Sequence, residues 1–296
     1  MTAVHQFVPN FASGDAIGLH VRNTQAALRR AGYRSDIFYD DVQASVKHLG
    51  RPYTTFEPTR GDWIIYHLST GSRIVETVFD AGCDVGVYFH NITPAAYFER
   101  WAPGAAVNIR EARSEMRRLA SVSKFAMANS SFSETELKED GFANTAVVPV
   151  LIDFSDYDTP PHSRRLSQLE DDRRSSGARW LFVSRLAPNK CQHDVIGAFA
   201  LYRAVHDPKA TLTIIGGKTA DIYYRSLQVL IDELDVADSV ELTDTISFPE
   251  LLAYYRTSDV FVCLSEHEGF MVPLLEAMHF GVPVVAYART AVPETL

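Results

Sequence analysis

Short apolar runs alternate with stretches of helical periodicity twice along this chain, and a polar segment separates the two series. In the first series the runs are Val4–Val8, Asp36–Tyr39, Trp63–His67, Val85–His90, Phe125–Asn129 and Ala146–Val150. Helical spacing fills Leu19–Arg30, Val107–Ala120 and Ser133–Glu139. Strands covered by helices on both faces read as continuous apolar runs, and β–α alternation builds a doubly wound parallel sheet. The second series predicts strands at Trp180–Ser184, Thr211–Ile215, Val240–Thr243, Val260–Leu264 and Pro283–Tyr287. Helices are expected at His193–Ala204, Tyr223–Leu234, Pro249–Tyr255 and Pro273–Phe280. Pro273 suits a helix start, Gly281 a left-handed exit, and Pro283 bars continuation. The expected fold class is α/β, with two Rossmann-like doubly wound domains over 1–152 and 179–296 facing a ligand cleft. The second is expected to be incomplete after its fifth strand. Residues 153–178 read as a polar linker, with a surface helix over Leu166–Arg174 as the competing reading.

Bulk properties narrow the function. At 296 residues the chain is long enough for two cores. A formal net charge of -9 argues against a nucleic-acid partner. Cys83, Cys191 and Cys263 are far apart and form no CxxC pair, so reduced thiols are expected rather than disulfides or a zinc site. The first residues carry no basic and apolar leader, and no apolar run approaches the roughly 18 residues of a membrane span. A soluble, cytoplasmic protein is the expectation.

Ligands of such sheets gather beyond the carboxyl ends of the strands, and three candidate sites sit there. The first runs from Ser265 to Glu276. Glu268 lies on its loop, and Glu276 is expected in the first helical turn, beside free amides around Val272–Leu275 that suit an anion. Ionised carboxylates there can grip sugar hydroxyls; the competing reading is that Glu276 complements the helix dipole. The second is Ser184–Lys190, where Arg185 and Lys190 can bracket a diphosphate or form a solvated basic loop. The third is Phe89-His90-Asn91, where a strand-end histidine also fits a purely structural role. Gly14, Asp15 and Gly18, between the first strand and helix, suit either a phosphate approach or an ordinary helix-start turn.

Several alternatives drop out. No GxGxxG follows a strand, Leu212 occupies the first glycine of a Walker A loop ending at Gly217-Lys218-Thr219, and no HExxH is present. The one Asp-x-Asp, Asp156-Tyr157-Asp158, falls in the polar segment, so no metal site is expected.

The segment Glu268-Gly269-Phe270-Met271-Val272-Pro273-Leu274-Leu275-Glu276 resembles the Glu-x7-Glu signature of retaining family-four glycosyltransferases with the GT-B fold. Ser184-Arg185-Leu186 with Lys190, Gly216-Gly217, Pro283–Ala286 and the Pro293-Glu294 segment are similar to the same family. The resemblance implies a nucleoside diphosphate sugar as substrate, no cofactor, and a hydroxyl acceptor that is a glycan, a lipid-linked sugar or a small molecule. Arg185 and Lys190 would hold the diphosphate. Glu268, with Gly269, Phe270, Met271 and Val272, would hold the sugar, Glu276 the ribose, and Gly216 and Gly217 the donor loop. His90 would lie near the transferring sugar, with Gly14, Asp15 and Gly18 approaching phosphate or acceptor. Met271 departs from the usual glycine, and the family's later strand and returning helices do not follow. An epimerase on the same fold and a non-catalytic nucleotide-sugar module are the rival readings. Arg110, Arg113, Arg117, Arg118 and Lys124 suggest peripheral contact with the inner membrane face or, with Glu111 and Glu115 interleaved, a solvated helix face.

Overall fold

The first series of apolar runs becomes a seven-stranded parallel sheet in the computed structural model, which describes residues 2–296. Its strands are β1 (Val4–Phe11), β2 (Ile37–Val42), β3 (Arg51–Pro52), β4 (Trp63–Leu68), β5 (Asp84–Phe89), β6 (Ser123–Ala128) and β7 (Thr145–Val147), in the order β3-β2-β1-β4-β5-β6-β7. Helices α1 (Ala16–Arg30), α2 (Ile74–Asp80), α3 (Pro103–Ala120) and α4 (Ser131–Glu139) connect them. Phe7, Ile64, Tyr66, Val87 and Phe89 are fully buried, as continuous apolar strands between helical layers should be. The last strand stops at Val147 instead of Val150, because Pro149 has no N–H for the ladder. Strand β3 was not legible, being only two residues long.

The second series forms a five-stranded parallel sheet from β8 (Arg179–Val183), β9 (Thr211–Ile215), β10 (Val240–Thr243), β11 (Val260–Cys263) and β12 (Val284–Ala286). The order is β10-β9-β8-β11-β12, so the chain reverses direction across the sheet between β8 and β11. Around it lie α5 (Ser163–Arg173), α6 (Gln192–Val205), α7 (Asp221–Glu233), α8 (Phe248–Thr257), α9 (Val272–His279) and α10 (Val292–Thr295). Gly281 ends α9 at φ +67, the left-handed exit expected of it.

Two expectations about organisation need correction. Residues 153–178 are not a linker: Phe154–Asp158 is a 3-10 turn with Tyr157 buried, and α5 packs on α8 with Leu169 buried. Arg179 Nη1 donates to Leu169 O at 2.7 Å and His162 N donates to Pro249 O at 2.9 Å, which fastens this segment to the second sheet. Leu166 and Leu169, three apart, give α5 one apolar stripe among polar residues. The second correction concerns Tyr97–Pro103, which groups with Phe154–Leu296 rather than with the residues around it in sequence. Trp101 packs edge-on against Tyr223, with ring centroids 5.2 Å apart.

The basic residues in and after α3 are mostly committed within their own unit. Arg113 pairs with Glu136 and Asp140, Arg117 with Asp140, Arg118 with Glu76, and Lys124 with Asp84. No helix among the described residues is long and apolar enough to cross a membrane.

Candidate functional site

In the second unit the strand-end loops after β8 and β11 are knitted together. Asn189 Nδ2 donates to His267 O at 3.1 Å, and Glu266 N donates to Asn189 O at 3.0 Å. Across this seam Lys190 Nζ meets Glu268 Oε2 at 2.6 Å. Glu268 is buried, its backbone N–H is held by Thr290 Oγ1 at 2.9 Å, and its second oxygen, Oε1, is buried without a hydrogen-bond partner. Such a lone acceptor costs on the order of 1–3 kcal/mol, so a hydroxyl delivered to it would recover that cost. Arg185 on the same β8 loop is exposed. The two cations expected to act together are therefore unlike: Arg185 is open to an anion, whereas Lys190 already serves Glu268.

Gly216 and Gly217 hold the loop after β9 against the β8 loop. At Gly216, φ +153, a Cβ would stand 1.9 Å from Ser184 O, so only glycine fits. Leu186 N donates to Gly217 O at 2.9 Å, which closes the seam. Met271 sits at φ +74, a left-handed conformation that a non-glycine residue holds at a cost of about 1–2 kcal/mol. Its buried side chain, against Cys263 Sγ at 3.2 Å, anchors it there.

Helix α9 corrects two details. It starts at Val272, so Glu276 lies beyond the first turn and no acidic residue is in that turn. The amides around Val272–Leu275 are also fewer than expected, since Pro273 has no N–H and Leu274 N donates to Met271 O at 3.2 Å. Glu276 is buried, and both of its oxygens are occupied: Tyr157 Oη donates to Oε1 and Tyr255 Oη to Oε2, each at 2.6 Å. Burial raises its pKa, while the two phenols pull it down. Ribose hydroxyls would have to share these oxygens. Tyr255→Phe is expected to cost about 1.5–3 kcal/mol of stability, the worth of a hydrogen bond to a charged group, as read by urea unfolding; a loss under 0.5 kcal/mol would count against an ionised Glu276.

In the first unit Asp15 caps α1, accepting from Gly18 N at 2.6 Å. A Cβ at Gly18 would lie 1.8 Å from Ala12 O, so the packing of the turn accounts for Gly18. Gly14 is exposed, and a Cβ there would meet nothing within 4 Å, so packing does not account for this glycine. His90, half-buried just after β5, bonds His67 (Nε2 to Nδ1, 3.0 Å), and His67 Nε2 bonds Gln6 Oε1 at 2.9 Å. His20 and Tyr88 complete the cluster, with ring centroids 4.0 Å apart. Burial pushes His67 and His90 well below the ordinary imidazole value and His20 down to about 4.

Sequence reasoning missed Tyr157, Tyr255, Asn189, Thr290, Gln6, His20 and His67. The polar Gln6 and His67 inside otherwise apolar strands were the available signal. Cys191, His193 and Asp194 also bring three potential metal-ligand atoms within 4.8 Å of one another, although Cys191 is buried and burial raises its thiol to about 11. The Asp156 and Asp158 carboxylates are exposed on either side of buried Tyr157.

Residues 170–296 match the family model described as Glycosyl transferases group 1. A GDP-mannose:cellobiosyl-diphosphopolyprenol alpha-mannosyltransferase of Xanthomonas campestris is 34% identical over 116 residues, covering 38% of this chain and 30% of that protein. A GDP-mannose-dependent alpha-(1-6)-phosphatidylinositol monomannoside mannosyltransferase of Mycolicibacterium smegmatis is 38% identical over 122 residues, covering 38% and 31%. The matched stretch thus spans less than a third of these relatives. Among solved structures, Anabaena HepE in complex with UDP and glucose superposes with a TM-score of 0.74 at 18% identity, covering 99% of this chain and 83% of that one. WaaG, a glycosyltransferase involved in lipopolysaccharide biosynthesis, gives 0.69 at 12% identity, covering 99% and 83%. The structural likenesses show the fold, and the family match lies within the second unit. The chain shares the fold of these structures, with two Rossmann-like parallel α/β sheets as in GT-B proteins, and its residues 170–296 match the glycosyl transferases group 1 model.

Proposed function

We propose that the chain transfers a sugar from a nucleoside diphosphate sugar to a hydroxyl acceptor with retention of configuration and without a divalent metal. The observation that carries this reading is the Lys190–Glu268 pair at the strand ends of the matched segment, with Glu268 Oε1 buried and unsatisfied. That oxygen suits a sugar hydroxyl. Arg185, exposed on the neighbouring loop, suits the diphosphate, whose negative charge grows as the sugar bond breaks. The similar mannosyltransferases are named for GDP-mannose and for lipid-linked acceptors, and HepE was solved with UDP and glucose. A glycan, a lipid-linked sugar and a small-molecule alcohol are accordingly the acceptor classes to try.

The test is product analysis with a panel of nucleoside diphosphate sugars, with and without acceptors. The expected result is acceptor-dependent release of the nucleotide, an unchanged anomeric configuration in the product, and a rate unaffected by chelator. Loss of all activity in chelator, restored by magnesium or manganese, would overturn the metal-free mechanism. Epimerised donor without acceptor would identify an epimerase, and binding without turnover a non-catalytic module.

A further inference from the structure

Gln6, His67 and His90 form a hydrogen-bonded chain whose polarity is fixed at one end. Gln6 Nε2 donates to the Val21 carbonyl at 3.0 Å, and since a carbonyl only accepts, the amide can be oriented in one way. Gln6 Oε1 therefore faces His67 Nε2 at 2.9 Å as an acceptor, and His67 carries a proton on Nε2. The His67 ring is fully buried. The titratable groups around it on β4, β5 and α1 are His20, Tyr88 and His90, and no carboxylate among the described residues pairs with it. Burial and the adjacent His20 hold it neutral, so its Nδ1 is bare and accepts from His90 Nε2 at 3.0 Å. His90 is neutral for the same reasons, with its single proton on Nε2. His20 does not compete, because its Nδ1 accepts from Leu151 N at 3.0 Å and its Nε2 faces Thr24 Oγ1 at 3.3 Å.

We propose that Gln6 and His67 are positioning residues that fix the tautomer of His90, so that its Nδ1 is presented as a hydrogen-bond acceptor to a ligand hydroxyl. A group that can only accept, such as a carboxylate or phosphate oxygen, finds no proton at Nδ1. A sugar or acceptor hydroxyl finds a partner. The identity of that ligand rests on the sugar-transfer reading; the tautomer does not.

Long-range proton–nitrogen spectra of 15N-histidine-labelled protein read the tautomer directly. The wild type is expected to show His90 as the Nε2–H form. His67→Gln, which keeps an acceptor toward His90 and a donor toward Gln6, should retain it. His67→Phe and Gln6→Met should give a tautomer mixture and lower kcat about tenfold, the worth of one hydrogen bond, with the donor KM unchanged. A wild-type His90 protonated on Nδ1 overturns the proposal, and so does an unchanged tautomer in both disrupting variants. The wild-type spectrum decides even where a variant fails to fold. An Nε2–H His90 in a protein that transfers no sugar would leave the relay standing and sink the functional reading instead.

Discussion

Lys190→Met is expected to remove about 3–5 kcal/mol from the stability of the second unit and to end sugar transfer, because it strands the Glu268 carboxylate. Glu268 is buried, its Oε1 has no partner, and Lys190 is the only ion-pair partner found for its Oε2 among the described residues. Deleting the cation leaves a buried charge with nothing to balance it. The double variant Lys190→Met, Glu268→Leu should recover most of that stability, since well-packed apolar residues often replace a buried ion pair at no cost. Activity should not return with it. This difference separates the two explanations of the pair: a structural staple would be restored by the double variant in both respects, whereas a ligand site regains only its fold. Urea unfolding and a donor-turnover assay on all four proteins of the cycle read the outcome. A single variant as stable as wild type, or a double variant that still transfers sugar, would contradict the assignment.

Acidification is expected to destabilise the first unit steeply below pH 6.5. Burial holds His20 down to about 4, and His67 and His90 lie well below 6.5. Their folded values are depressed, so unfolded histidines take up protons in this window that the folded ones refuse. Stability is therefore complete above the unfolded value of 6.5 and is lost as pH falls toward the folded values. One refused proton is worth about 1.4 kcal/mol per pH unit, so His20 alone costs roughly 3 kcal/mol between 6.5 and about 4. Glu115, raised to about 7 chiefly by burial, works the other way, because it gains stability as pH falls from about 7 toward 4.5. Glu136 is raised by burial as well and His5 is lowered by it, so two carboxylates oppose four histidines in this unit and the histidines win. Unfolding followed at pH 7 and pH 5 should show the loss, and His67→Gln should lessen it. Equal stability at the two pH values would refute the buried neutral cluster.

The sheets were legible because both of their faces are covered. Thr211–Ile215 and Val240–Thr243 match their predicted bounds residue for residue, and Gly281 with Pro283 marked the end of α9. What escaped was structure fixed by distant partners. Helix α5 confirms the competing reading of a helix over Leu166–Arg174, but its fit against α8 is not announced by its own polar composition. Tyr97–Pro103 joins the second unit through contacts such as Trp101 on Tyr223, far away in sequence. The Glu-x7-Glu segment drew attention to Glu268 and Glu276, both of which are buried, but gave no sign of the tyrosines that occupy Glu276. The spacing of Arg185 and Lys190 suggested a pair of equals, and only the folded loops reveal that one is paired and the other exposed.

The central claim is that the strand ends of the second unit bind a nucleoside diphosphate sugar, and calorimetric titration with a panel of such sugars tests it most directly. Arg185 is the residue to vary, because it is exposed and no ion pair among the described residues involves it, so Arg185→Ala should leave the fold intact. At least one panel member should bind the wild type. The variant should bind it about 10- to 150-fold more weakly, the loss of a charged hydrogen bond worth roughly 1.5–3 kcal/mol. No binding by any member of the panel, or equal affinity in wild type and Arg185→Ala, would contradict the account.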